Sequence, residues 1–379
     1  MLNGAKAPNG NRDSETNNGD LITDAMVWKI LQDKESLTVD ADHVVAVTNG
    51  GGIRKAINPG DVTKKNINEV LPFGNTVVTI YITGAELLEA LEASTYCTPD
   101  AIGGFPQVSG INYTISTAVA YDANAETYPA STYYGPKSIN RVTINSINGK
   151  EFKADDTYAV ITNDFCGGGG DTYYAFAAAT AKFDTGIPLD EVVMEYITAE
   201  LKGVIGKQYA APQGRILMNP FADVKASSWF GKYVIDLYND GIINGTSATT
   251  YAPNNTLTWA AALKLLLVSN GDLKAADATG ADWSKNAIAK AAELGLVAAD
   301  LDGAKAISRL EFCQVAAKLN KLAESKTESK FTDCTDGYVM ALVDAKVISG
   351  MTETTFEPAA SLTRAQIAKI LYQLTLIEK

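Results

Sequence analysis

A chain of 379 residues is too long for one ordinary domain, and 46% hydrophobic with 20% charged residues excludes a disordered polymer. The net charge of −12 and the isoelectric point near 4.7 exclude nucleic acid as a partner, since a bare polyanion needs clustered Lys and Arg, but leave room for a single nucleotide. No apolar run approaches the roughly 18 residues of a membrane-spanning helix, and residues 1–10 hold no apolar signal core, so the chain is expected to be cytosolic or a piece of a longer one.

In chain order, Leu21, Ile22, Ala25, Met26, Lys29 and Ile30 follow helical spacing, with Thr16 and Asn17 as candidate caps. The only histidine, His43, opens an apolar strand and reads as a strand-edge residue, not a metal ligand. That strand runs into a first glycine loop, Asn49-Gly50-Gly51-Gly52-Ile53-Arg54. Residues 77–82 read as a buried strand and residues 84–93 as a second helix. Residues 111–115 and 141–145 alternate as half-buried strands do. Asn148-Gly149 predicts a hairpin turn between 142–147 and 151–152. The apolar run 158–162 enters a second glycine loop, Asn163-Asp164-Phe165-Cys166-Gly167-Gly168-Gly169-Gly170-Asp171. Residues 188–205 read as a terminal helix, and Gly214-Arg215-Ile216 closes the unit. The expected fold of residues 1–218 is α+β, a mixed sheet with flanking helices.

Four consecutive glycines add nothing to a core, and each loses more backbone freedom on folding than other residues do. Such loops persist where backbone turns sharply or approaches a ligand. Together the two loops carry an amide, a cation, an aromatic ring and a carboxylate, the inventory of a nucleotide or nucleoside site. The four cysteines, Cys97, Cys166, Cys313 and Cys334, show no CxxC and no regular spacing. The spacing supports no zinc or redox motif and favours unpaired thiols, with Cys166 a small space-filling residue.

After Pro220 the chain repeats. Phe221-Ala222-Asp223-Val224 recurs as Phe331-Thr332-Asp333. Leu257-Thr258-Trp259 recurs as Ile307-Ser308-Arg309 and Leu362-Thr363-Arg364, and Tyr251-Ala252-Pro253 recurs as Phe356-Glu357-Pro358. Each repeat reads helix, loop, helix, with boundaries at 221–271, 272–327 and 328–379. One unit is too small to bury its own apolar face, so three must pack together. These repeats, with Gly241-Ile242-Ile243-Asn244-Gly245 and Thr363-Arg364-Ala365-Gln366, resemble surface-layer homology (SLH) domains. The resemblance implies an all-α, three-repeat pseudo-trimeric spindle whose grooves bind secondary cell-wall polysaccharide of bacteria. It makes Arg309 and Arg364 candidate polysaccharide-binding residues. A cation at a helix N-terminus reinforces the partial positive charge there and suits an acidic sugar. The first repeat departs, with Trp259 in place of the arginine.

The first 218 residues resemble the C-terminal, substrate-binding domain of the 5′-nucleotidase family. The carrying motifs run from Arg12 to Ala25, then Asn49 to Arg54, Leu71-Pro72-Phe73-Gly74-Asn75, Gly104 to Gly110, and Asn163 to Asp171. The resemblance implies that Phe73 and Phe165 sandwich a purine, a contact of roughly 1–3 kcal/mol per base. Asn49 faces a base edge, where its amide can donate and accept. Asp171 accepts ribose hydroxyls, Arg12 and Arg54 hold phosphate oxygens or a ribose hydroxyl, and Gly51 lets backbone approach. Phe105 and Gln107 read as structural. Asn18 and Asp20 replace the family's usual Leu and Asn, Gly168 its Asn and Thr172 its Gly.

Family enzymes hydrolyse phosphate esters with two metal ions in a separate domain rich in His, Asp and Asn ligands. With one histidine this chain is not expected to supply that site, so no catalytic residue, metal ligand or cofactor is assigned to it. Divalent metals are expected only in a missing metallophosphoesterase domain. No Walker loop, Ser-His-Asp set or GxSxG offers other chemistry. The expectation is the substrate-recognition half of an extracellular, cell-wall-anchored 5′-nucleotidase-like hydrolase. A non-catalytic nucleoside-binding module and a purely structural surface-layer protein are the alternatives.

Overall fold

The computed structural model describes residues 1–120, 139–274 and 276–377. The chain forms two compact units, Met1–Asn219 and Pro220–Lys379.

In the first unit, β1 (Val44–Asn49) shows no polar alternation, and all six residues are buried. A strand covered on both faces reads as such a continuous run. It belongs to a sheet with β2 (Thr76–Thr83), β3 (Pro106–Ser109), β6 (Thr157–Asn163) and β7 (Ala181–Pro188). The order is β3-β1-β6-β2-β7. β1 and β6 are parallel, with Val44 opposite Ala159 and Ala46 opposite Ile161; the other pairs are antiparallel.

Successive side chains of a strand point to opposite faces, and the core divides accordingly. Val45, Val47 and Val160 pack with Leu87 and Leu91 of α3 (Gly84–Ser94). Val44, Ala46 and Ile161 pack with Leu21, Ile22 and Met26 of α1 (Asn17–Leu31) and with Val192 and Val193 of α6 (Leu189–Glu195). Thr16 caps α1 by accepting the Gly19 N–H at 3.1 Å, and Thr83 with Glu86 forms a capping box on α3. A second sheet, of β4 (Ile111–Ser116), β5 (Val142–Ile147) and β8 (Ile216–Asn219), has the order β5-β4-β8 and closes the α3 side of the core.

Two local expectations change, and one strand is added. Asn148 (φ 47°) and Gly149 (φ 75°) make the turn, but only the single bridge Ile147–Lys150 follows, so 151–152 is not a strand. The Asn148 amide instead donates to the Asp42 and Val44 carbonyls, tying the turn to the start of β1. The terminal helix is shorter than 188–205, because Pro188 ends β7 and α6 passes into a π-helical turn over Tyr196–Glu200. β7 itself is an edge strand with no buried residue, so it carries no apolar signal.

The second unit contains α7 (Gly231–Asn239), α8 (Trp259–Asn270), α9 (Trp283–Glu293), α10 (Arg309–Leu319), α11 (Gly337–Asp344) and α12 (Arg364–Thr375). α8 packs on α9, α10 on α11, and α12 returns to α7. The first N–H groups of a helix lack intrahelical partners, and here the next repeat supplies them. Trp259 and Ala260 donate to Lys305 and Gly303, Arg309 and Leu310 to Ala360 and Pro358, and Arg364 and Ala365 to Asn255 and Pro253. The helix starts thus bond round the three repeats in cyclic order. Asp223 accepts the Tyr251 and Ala252 N–H groups, and Asp333 those of Phe356 and Glu357. Among the described residues no helix is long and apolar enough to cross a membrane.

Candidate functional site

Both glycine loops leave the carboxyl ends of the parallel pair β1 and β6. Ligands in sheets with parallel strands bind outside such ends, where neighbouring loops diverge. The first loop makes a tight turn at Gly50–Gly52. Gly50 N–H donates to the Phe105 carbonyl and Gly51 N–H to that of Gly103, both at 2.7 Å. A Cβ on Gly50 would stand 1.6 Å from the Asn11 carbonyl oxygen, and one on Gly51 2.9 Å from that of Gly103. Close backbone approach therefore demands glycine at both positions. The second loop starts with the short helix α4 (Asp164–Gly167) and reaches α5 (Tyr174–Ala177) through Asp171, whose φ of 52° is left-handed.

The two loops meet through buried side chains. Asn49 Nδ2 donates to Asp171 Oδ2 at 2.7 Å, and Asn163 Nδ2 donates to Asn49 Oδ1 at 3.1 Å. Burial pushes the Asp171 carboxyl above its ordinary range; the Asn49 N–H and the Arg12 cation oppose that shift. Arg12 precedes α1, and its carbonyl accepts the Ile102 N–H at 2.9 Å. Its Nε is buried with no hydrogen-bond partner among the described residues. Gln107 holds this segment: its Nε2 donates to the Asn11 and Ser14 carbonyls, and its Oε1 accepts the Thr16 N–H.

Phe73 follows α2 (Lys64–Val70) and is 62% exposed; Phe165, on α4, is 45% exposed. Rings this open at the rim of a polar site lie outside any core. Their loops are tied by Asn75 Nδ2 donating to Asp164 Oδ1 at 2.6 Å. Arg54 lies over the Phe73 ring, 5.5 Å from its centroid, and donates to the Gly51 carbonyl at 3.1 Å. Gly170 lies so close to Phe165 that a Cβ would stand 2.5 Å from Cζ of the ring. Thr48, Phe73, Asn75 and Asn163 share one cavity of about 20 Å³, room for about one water.

The contacts thus form two sets, Asn49 with Asp171 and Arg54 with Gly51 and Phe73, with Arg12 close enough to act on Asp171 and the Phe165 loop tied to the Phe73 loop. Asn163 and Gln107 hold these groups in place. Cys166 is buried, burial pushes its thiol up, and all four cysteines are free. His43 sits at the amino end of β1, away from the glycine loops. Its Nδ1 lies 2.6 Å from Asp42 and its Nε2 3.4 Å from Asp156, and the Asp42 hydrogen bond raises its pKa. An open groove of about 740 Å³ runs beside it, so the larger concavity does not coincide with the glycine loops. Among the described residues no three His, Cys, Asp or Glu side chains are grouped to hold a metal ion.

In the second unit, Arg309 donates from Nη2 to the Ser349 carbonyl at 2.8 Å and lies over the Phe356 ring at 4.7 Å. Arg364 donates from Nε and Nη2 to the Tyr251 and Asn244 carbonyls and lies over the Tyr251 ring at 4.4 Å. Each arginine therefore clamps the loop of a neighbouring repeat, a role the sequence reading did not assign.

Residues 4–178 match the family "5′-nucleotidase, C-terminal domain", and residues 220–262 and 333–368 match "S-layer homology domain". The trifunctional nucleotide phosphoesterase protein YfkN of Bacillus subtilis (strain 168) is 37% identical over 207 residues, which are 54% of this chain and 12% of that protein. The 5′-nucleotidase of Homo sapiens is 31% identical over 207 residues, 53% of this chain and 33% of the relative. Among solved structures, the 5′-nucleotidase precursor from Thermus thermophilus aligns with a TM-score of 0.46 and 33% identity, covering 57% of this chain and 38% of the other. This chain spans well under half the length of each of these proteins.

Proposed function

We propose that this chain, which carries a 5′-nucleotidase C-terminal domain followed by S-layer homology domains, recognises the base and ribose of a purine nucleotide at a bacterial cell surface. The observation that carries the reading is the Asn49–Asp171 contact of 2.7 Å, which brings the two glycine loops into one buried polar floor. Phe73 and Phe165 stack on the base above that floor, and Asp171 accepts the ribose hydroxyls as a carboxylate. Arg12 and Arg54 face the phosphate end. Hydrolysis of the phosphate ester is the work of a separate metal-bearing domain. The second unit is a three-repeat SLH spindle, a reading supported by the cyclic bonding of its helix starts. It holds the protein to cell-wall polysaccharide, with Arg309 and Arg364 using N–H donors beyond those spent on loop carbonyls.

Calorimetry of the full chain with adenosine and AMP tests the site. Phe73→Ala and Phe165→Ala are each expected to weaken adenosine binding by about 10-fold or more, the order of one lost base stack. Binding that is unchanged in both variants refutes the stacking roles. A chain that binds neither ligand but sediments with wall polysaccharide is a structural surface-layer protein instead.

A further inference from the structure

We infer that Asn163 is a positioning residue of the nucleoside site: it fixes the amide of Asn49 so that Asn49 turns its N–H toward Asp171. The inference rests on the proposed reading of that site. An Asn side chain has a carbonyl end and an NH2 end of nearly equal shape, so its neighbours decide which way it points. Here the direction is traceable to a backbone group that has no freedom. The N–H of Cys166, fixed by α4, donates to Asn163 Oδ1 at 2.8 Å. Asn163 must then direct its NH2 the other way, where Thr48 Oγ1 lies at 2.9 Å and Asn49 Oδ1 at 3.1 Å. Asn49 Oδ1 is thereby committed to accepting, and its own NH2 is left facing Asp171 Oδ2 at 2.7 Å.

All three side chains are buried, so a reversed Asn49 would press a carbonyl oxygen against a carboxylate at 2.7 Å, a repulsive contact. Polarity therefore runs one way, from Cys166 through Asn163 and Asn49 to Asp171. Its consequence is chemical. Burial favours a protonated Asp171, and the Asn49 N–H is the larger of two groups that oppose this. A carboxylate can accept two hydroxyls; a protonated acid has one strong donor and less capacity to accept. Asn163 touches no ligand in this account and acts through Asn49.

Two variants separate orientation from stability. Asn163→Ser keeps a side-chain oxygen able to cap the Cys166 N–H, since Ser and Asn are comparable N-caps, but it is too short to reach Asn49. Asn163→Ala removes both contacts. The measurements are the titration of Asp171 by carboxyl 13C NMR on the ligand-free full chain, assigned with Asp171→Asn, and calorimetry with adenosine. Both variants are expected to raise the Asp171 titration midpoint by about half a pH unit or more and to lower the melting temperature, Asn163→Ala by more than Asn163→Ser because it alone also loses the cap on the Cys166 N–H. A half-unit shift lowers adenosine affinity by up to about 3-fold in both, more at pH 5.5 than at pH 8. An Asp171 midpoint that stays put in both variants, or moves only with Asn163→Ala, overturns the orienting role. If the wild-type chain binds no adenosine, the nucleoside reading fails, while the Asp171 titration still decides what Asn163 does.

Discussion

At the scale of single residues, Asp20 is the departure from family pattern with the clearest physical cost. Its side chain is 1% exposed, with Arg215 Nη1 3.6 Å from its Oδ1 and the Gln213 N–H 3.1 Å from its Oδ2. Burial pushes its pKa up to about 8, and the neighbouring Glu15 charge pushes the same way, while Arg215 pulls it down. The sign of the linkage follows. The unfolded chain releases this proton near pH 4, whereas the folded chain keeps it to about pH 8. Between those values the folded state binds more protons, so the group's contribution to stability declines as pH rises, by up to about 1.4 kcal/mol per pH unit. Asp20→Asn is expected to remove that decline and to exceed the wild type in stability at pH 8, while differing little at pH 4. Denaturant unfolding of both proteins at the two pH values measures this. Parallel stability profiles would show that Asp20 is ionised in the folded state. The sequence marks Asp20 as unusual but gives no sign of its proton, because the groups that set it are Glu15, just before α1, and Gln213 and Arg215, brought in from the far end of the unit.

At the scale of elements, the repeated letters of the second unit acquire reasons. Gly245 and Gly350 each lie under the aromatic ring that opens their own repeat. A Cβ would stand 2.6 Å from Phe221 Cε1 in one case and 2.6 Å from Phe331 Cε1 in the other. Gly241 and Gly295 are different: their φ values of 71° and 70° are left-handed, with open space around them. Gly350→Ala should therefore lower the stability of the second unit by about 1–3 kcal/mol through overpacking against ring and backbone. Gly295→Ala should cost only the backbone strain of about 1–2 kcal/mol and leave the packing of Phe331 alone. Near-ultraviolet circular dichroism with thermal melts distinguishes them, since only the first displaces an aromatic side chain. Legibility divides along the same line. Continuous apolar runs made β1 and β6 readable, and the glycine loops at their ends with them. β7 was not readable, because an exposed edge strand has no apolar period. Neither was the work of Asn163, nor were the partners of Gln107, which reads only as structural. Each is one polar letter whose partners, Thr48 and Asn49 or Asn11 and Thr16, are set by strand register and loop path. The arginines show the converse. Their helix-start positions were legible, but their grip on Ser349, Asn244 and Tyr251 depends on the ring of contacts among three repeats.

At the scale of the whole molecule, the proposed function assigns one ligand class to each of the two compact units. The first buries Val45 and Val47 on one face of its sheet and Ile161 on the other, and the second buries Leu263, Phe312 and Leu371. A ligand that binds only the folded form of one unit raises the stability of that unit alone, by about 2.7 kcal/mol at one hundred times its dissociation constant. Scanning calorimetry of the full chain is therefore expected to resolve two transitions. Adenosine should raise one of them, and purified cell-wall polysaccharide the other. Asp171→Asn should abolish the first response and preserve the second. The pair Arg309→Ala and Arg364→Ala should do the reverse, and should also lower the second transition without ligand, because each arginine clamps a neighbouring repeat. That last effect separates the two roles of the arginines. If the double variant melts early yet its remaining folded form binds polysaccharide with wild-type affinity, the arginines are clamps only. If adenosine moves both transitions, the two units respond as one, and the assignment of one ligand class to each fails.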